Sequence, residues 1–410
     1  MSLCRYLPTP SERMGIIWSL LSVEGSLLLE YGPAGTTHYS MGLYGSLGLN
    51  FQQRIFSTHM SEDDVVMGDV TRLEKAIVEL DVGYAPRVIF VVASLVATVI
   101  GADLKGVCRY MQKDVKAKLV ALECTGFQGD YSVGIGEVYQ LLVKELVETA
   151  ATKVAGTFNV LGASKGSYRM TSDLWEIENL LREGFGLTLH TCLCVATSVE
   201  KIAQMGSAEV NLVLRPEALV AGELLLEKTQ TPFVVGAPYG YAGTLTWLRT
   251  IEKQLGRPLH PGLVARLEAK QRMLLPIMGM RAMRKKRFEP TAVVEGEYIA
   301  VCGISAILAG RGIERITKIS KHSLKNIPDA PEDIIHYKEE KARLKVLQAA
   351  QHALVIGSDI TLFACNDTNR KVLLSFPRLE GRSVAEHLPF MGEKGADYLV
   401  EEIEGYLESL

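Results

Sequence analysis

Residues 31–40 read YGPAGTTHYS. A leucine-rich approach, Gly25-Ser26-Leu27-Leu28-Leu29-Glu30, runs into Gly32-Pro33-Ala34-Gly35. Proline fixes its own φ and glycine reaches positive φ without a side-chain clash. The stretch therefore predicts a tight turn at the end of a buried strand, with Gly35 at a φ that a β-branched residue tolerates poorly. Such strand ends are where α/β proteins place ligands. Taken alone, the ten residues favour an ordinary strand-to-helix connection.

Outward from this turn, short apolar runs alternate with helical patterns. Asp69 reads as an N-cap, with Val70, Leu73, Ile77 and Leu80 as the stripe behind it. Residues 87–93 (RVIFVVA) form a continuously apolar run, as expected of a parallel strand covered on both faces. Residues 118–122 read as the next strand, and residues 135–149 repeat apolar positions at helical spacing. A second cycle starts near Thr157, with strands at 158–162, 187–194, 210–214 and 233–235 and a helix capped by Ser172. Residues 250–287 are charge-rich and helical, interrupted by Pro258, Pro261 and Pro276, and end in the basic run 281–287, read as a solvated face or a patch for an acidic partner. A third cycle takes residues 298–303 as a strand, then a helix to Ala309, strands at 313–319, 353–358 and 371–376, and a closing amphipathic helix over 393–407. The rhythm predicts an α/β protein of three Rossmann-like, doubly wound modules with parallel sheets. The expected divisions are 1–155 with the interface turn, 156–257, a helical linker at 258–290, and 291–410.

The bulk numbers fit this. A chain of 410 residues is long enough for two or three cores. With 48% hydrophobic and 22% charged residues and a net charge of −3, it offers no electrostatic case for nucleic acid or an anionic membrane. Its longest apolar run, 88–100, is shorter than the ~20 residues a bilayer needs. Residues 1–13 lack the apolar centre of a signal peptide. Seven irregularly spaced cysteines do not form a disulfide framework, and the expected compartment is the reducing cytoplasm. No P-loop is present, so any ATP hydrolysis has to come from another protein.

Four stretches carry a family resemblance: 31–40, 54–69 (RIFSTHMSEDDVVMGD), 94–104 (SLVATVIGADL) and 123–129 (ECTGFQG). In order and spacing they resemble HGPxGC, TDLxExDxVFGG, CxxxxIGDD and CxGFxG of the nitrogenase component 1 family. Phe376-Pro377-Arg378 and residues 387–396 (HLPFMGEKGA) are similar to its last stretch, so the resemblance runs nearly the whole chain. It implies three α/β modules around a cavity, an oligomer of related subunits, and an iron-sulfur cluster where two chains meet. It also implies a separate, ATP-dependent reductase like the nitrogenase iron protein.

The thiolates that would bind the cluster are missing, although soft sulfur is what iron prefers. Thr36 stands where HGPxGC ends, Leu95 where CxxxxIGDD begins, and Ser11 at the N-terminal ligand position; Cys4 is the nearby substitute. Arg215 stands where the family's α subunit has its cofactor cysteine. At a strand end, an ion-pair or surface role outweighs a ligand contact, although a guanidinium in a cavity suits carboxylate or phosphate. Cys124 matches CxGFxG and reads as packing. Cys192 and Cys194 read as facing one side of a strand, and Cys108, Cys302 and Cys365 as structural. His38 is the candidate proton donor near a substrate, set against a hydrogen-bonded loop role; His387 reads as packing.

Two functions follow from the resemblance. One is a nitrogenase-like oxidoreductase subunit, taking part in low-potential electron transfer with a cysteine-bearing sister subunit. Any iron-sulfur cluster then depends on that partner. The other is a redox-inactive scaffold that binds a cofactor precursor or other small molecule. The partner is a sister chain or a second copy of this one.

Overall fold

The computed structural model describes residues 9–37, 54–122, 126–149, 152–164, 167, 169–195, 197–282, 288–375 and 388–410. Cys4, His38, Cys124, His387 and residues 283–287 of the basic run lie outside them.

Three parallel sheets carry the chain. The first has the order Ile55–Ser57, Ser26–Tyr31, Val88–Ala93, Lys118–Leu122. The second runs Phe233–Val235, Ala208–Val213, Val154–Leu161, Thr188–Cys192. The third runs Ile334–Ile335, Arg315–Ser320, Thr291–Gly296, Leu354–Ser358, Arg370–Ser375. In each, the strand that comes first in the chain lies inside the sheet, and later strands add on both its sides. Every sheet therefore has a point where the winding reverses, and a crevice opens there at the carboxyl ends of the strands.

Burial explains the apolar runs. Val88, Phe90 and Val92 face one core with the Glu12–Leu20 and Tyr131–Leu146 helices. Ile89, Val91 and Ala93 face another core with the Thr71–Tyr84 and Leu104–Met111 helices. A two-stranded parallel pair, Val23–Glu24 with Thr197–Ser198, ties the first sheet's approach to the second module.

Several local expectations are corrected. Residues 298–303 are the start of a helix, Tyr298–Gly310, and the strand before it is Thr291–Gly296. That helix packs against the third sheet and the Gly240–Leu255 helix, so its apolar side chains are wanted nearly all round and mimic a buried strand. The Pro261–Ala282 helix runs through Pro276. Ser172 lies inside the Met170–Phe185 helix; Arg169, at φ 59°, holds the N-cap position. Cys192 ends its strand while Cys194 sits in a turn at φ 63°, and the two belong to different cores. Val70 holds the N-cap position of the Thr71–Tyr84 helix instead of the expected Asp69, whose Oδ1 still accepts from the Thr71 amide at 2.8 Å.

Candidate functional site

The crevice of the first sheet lies between Tyr31-Gly32 and Ala93-Ser94. Here the glycine that matters is Gly32: a Cβ on it would sit 2.4 Å from the Ser94 Cβ. Gly32 also accepts from the Met60 amide at 2.9 Å and donates to Thr58 Oγ1 at 3.1 Å. Gly35, expected at positive φ, is absent from that conformation, and a Cβ on it would meet nothing within 4 Å. Residues 34–37 are helical, which removes the need for a left-handed residue.

This crevice gathers the three stretches that carry the expected ligand positions. Ser11 is exposed, bridges Asp130 and precedes the Glu12–Leu20 helix. The Thr36 hydroxyl donates to Glu30 Oε1 at 3.0 Å and to the Pro33 carbonyl at 2.8 Å. Leu95, 41% exposed, lies so close to Gly126 that a Cβ there would come within 2.2 Å of its Cδ2. The remaining charge is organised by two glutamates. Glu30, fully buried on its strand, accepts from Thr37 Oγ1 at 2.6 Å and pairs with Arg13. Glu12, also fully buried, accepts from the Gln128 amide at 2.8 Å. Burial and the charge of Glu12 push the Glu137 carboxyl up to about 7.

An iron-sulfur cluster does not fit these residues. Thr36, Leu95 and Ser11 stand at the three positions where thiolates were expected. Cys108, Cys192, Cys194 and Cys365 are buried inside cores, where burial pushes the Cys194 and Cys365 thiols up and keeps them protonated. Among the described residues no group of three or more His, Cys, Asp or Glu side chains is placed to hold a metal ion.

A second site forms where the crevices of the other two sheets meet. Arg215 follows the Ala208–Val213 strand in extended conformation, and its guanidinium reaches Glu297 Oε2 at 2.6 Å, just past the Thr291–Gly296 strand. Gly162, at φ +86°, makes room: a Cβ there would sit 2.8 Å from the Arg215 nitrogen. Burial opposes the arginine's charge, but Glu297 and Glu217 outweigh it and its pKa is raised. Glu297 also accepts from Ser167 Oγ at 3.1 Å.

The first module joins through Asp130, whose Oδ2 accepts from the Ser323 amide at 2.7 Å while Oδ1 caps the Tyr131–Leu146 helix at the Ser132 amide. Buried His322 accepts the Tyr298 amide on Nε2 at 3.1 Å, which leaves the proton on Nδ1, and its ring meets that of Tyr131 edge-on. Burial raises Tyr131, Tyr139 and Tyr239, so all three stay as neutral phenols.

Asp173 accepts from the Phe390 and Met391 amides at 2.6 and 2.9 Å, and burial pushes its carboxyl up to about 6 against those bonds. Burial lowers Lys321 to about 8, with Glu295 pulling it back up. Glu295 itself is held by Arg343 at 2.6 Å.

The sequence singled out Arg215 here and passed over Glu297, Asp173, Lys321 and His322. A carboxylate directly after an apolar strand, as in Val293-Val294-Glu295-Gly296-Glu297, was the available signal.

Comparison with known proteins matches residues 11–408 to the family described as nitrogenase component 1 type oxidoreductase. The nitrogenase iron-molybdenum cofactor biosynthesis protein NifE of Nostoc sp. is 24% identical over 382 residues, 92% of this chain and 76% of that protein. NifE of Rhizobium meliloti is 30% identical, across 62% of this chain and 51% of the relative. The nitrogenase molybdenum-iron protein alpha chain of Clostridium pasteurianum is 26% identical, across 62% and 48%. The matches to the last two therefore span about half of those relatives. The structure of nitrogenase Cp1 at pH 6.5 superposes with a TM-score of 0.78 at 18% identity, covering 100% of this chain and 94% of that one. Among the described residues no helix is long and apolar enough to cross a membrane.

Proposed function

The chain belongs to the nitrogenase component 1 type oxidoreductase family, and on that premise we propose that it is a ligand-binding subunit of a nitrogenase-like assembly that carries no cluster of its own. One observation carries this reading. Arg215, which the family resemblance sets at the cofactor-thiolate position, is buried and ion-paired with Glu297 at the junction of all three modules. A site built from a guanidinium, carboxylates and neutral phenols would bind by charge and hydrogen bonding, without an iron–sulfur bond. The ligand class is a cofactor precursor or another small polar molecule. The names of the NifE relatives, which refer to cofactor biosynthesis, support it.

A second reading has its own observation. Val66, Met67, Val99 and Phe127 are 81%, 79%, 74% and 70% exposed, all in segments that follow strands of the first sheet. Apolar groups gathered at one edge suit a docking partner. On this reading a sister subunit supplies the cluster cysteines, and an iron protein-like reductase drives ATP-dependent electron transfer to a hard-to-reduce substrate through the shared assembly.

Anaerobic expression with iron and sulfide, alone and with a cysteine-bearing homologous subunit, separates the two. The chain alone is expected to be colourless; a stoichiometric ~400 nm thiolate-to-iron band from it overturns both readings. A complex that gains a cluster and ATP-dependent reduction favours the second. A complex that binds cofactor precursor without turnover favours the first.

A further inference from the structure

The place where three thiolates would converge on a cluster is held together here by the chain itself. Glu30 lies on a strand whose every residue is buried, between Leu29 and Tyr31, where an apolar side chain would be the ordinary choice. Its carboxylate draws donors from two segments: Arg13 of the N-terminal helix, and the Thr36 and Thr37 hydroxyls of the turn. Glu12, beside Arg13, accepts from the Gln128 amide, in the segment whose Gly126 lies against Leu95. A carboxylate in that position without donors would be strongly destabilising, so the buried charge enforces closure of the N-terminal helix and the turn onto the strand.

We infer that Glu30, with Arg13, Thr36 and Thr37, is a metal-free clamp that shapes the partner-facing turn, so that this subunit folds and presents that edge without iron. The inference rests on reading the chain as a subunit with no cluster of its own, and goes further in saying what replaces the metal.

The test is hydrogen exchange over residues 26–37 of the full-length protein, with iron and sulfide analysis of the same sample. A strong iron chelator is expected to change neither exchange nor the thermal midpoint. Glu30→Gln leaves Arg13 facing a neutral amide, and should speed exchange at residues 32–37 at least tenfold and lower the midpoint by roughly 5 °C. Thr37→Val, nearly isosteric, should give a smaller acceleration confined to the same residues, and decides alone if the glutamine variant does not fold. Loosening of the turn by the chelator overturns the clamp, as does wild-type exchange in the variants. A cluster found in the wild-type chain overturns the underlying reading as well, whereas insensitive variants of an iron-free protein overturn the clamp alone.

Discussion

The crevice of the first sheet and the junction of the other two are built from the same ingredients and use them oppositely. At the first crevice, Glu30 takes its donors from within one module, and its three partners lie within a span of 25 residues (13 to 37). At the junction, Arg215, Glu297, Asp130 and Ser323 come from segments that follow strands of three sheets, and each bond crosses between modules. A buried charge satisfied locally makes a rigid surface, while charges satisfied across modules make a site whose geometry depends on how the modules sit. The former suits an interface and the latter a ligand cavity.

The largest effect expected from breaking this contrast is at the first crevice. Gly32→Val drives a branched side chain into Ser94 at a point fixed by backbone bonds on both sides. The loss should be about 4 kcal/mol or more, seen as failure to give folded protein or a collapse of the denaturation midpoint. At the junction, Arg215→Ala leaves the partly buried Glu297 near Glu217 without its cation, and about 2–3 kcal/mol should be lost. A double variant with Glu297→Gln should recover much of it, and chemical denaturation of the three proteins checks the coupling.

Next comes pH. The folded Asp173 carboxyl lies at about 6 against 3.8 for a free one, so the native state holds its proton more tightly. Its contribution is fully present below pH 3.8 and is lost as pH rises through about 6, a change of roughly 2–3 kcal/mol. Asp173→Asn keeps an acceptor for the two amides and should flatten stability over that window. If the slope survives, another acid, Glu137 first, is its source. The smallest effect is expected from Gly35→Val, which meets open space at ordinary φ; an unfolding free energy within about 0.5 kcal/mol of wild type sets it against Gly32→Val and identifies which glycine of the turn is constrained.

The parallel sheets were legible because strands buried on both faces leave unbroken apolar runs, as at Val88–Ala93. The same rule misled at Tyr298–Gly310, a helix enclosed well enough to lose the polar face that would mark its period. In YGPAGTTHYS the turn was found, but the wrong glycine was assigned the strain, because close approach to Ser94 is a tertiary fact with no local signature. Arg215 was legible as the end of a strand. Its partner Glu297 is 82 residues further on in another sheet, and no pattern in one sequence pairs the two. Glu30 was in plain view as a carboxylate closing a run of leucines, and that mismatch is the kind of signal that repays attention.

The short pair Val23–Glu24 with Thr197–Ser198 also sets an order of events during synthesis. Its two halves are 174 residues apart (197 minus 23), with the whole first sheet made between them. At about 5–20 residues per second, the ribosome delivers the second half roughly 10–35 s after the first. The first sheet's strands are complete by Leu122, so that module emerges with its Val23 edge unpaired and stays so until the second module follows. For that interval Val23, fully buried in the finished fold, lacks the parallel partner strand that covers it.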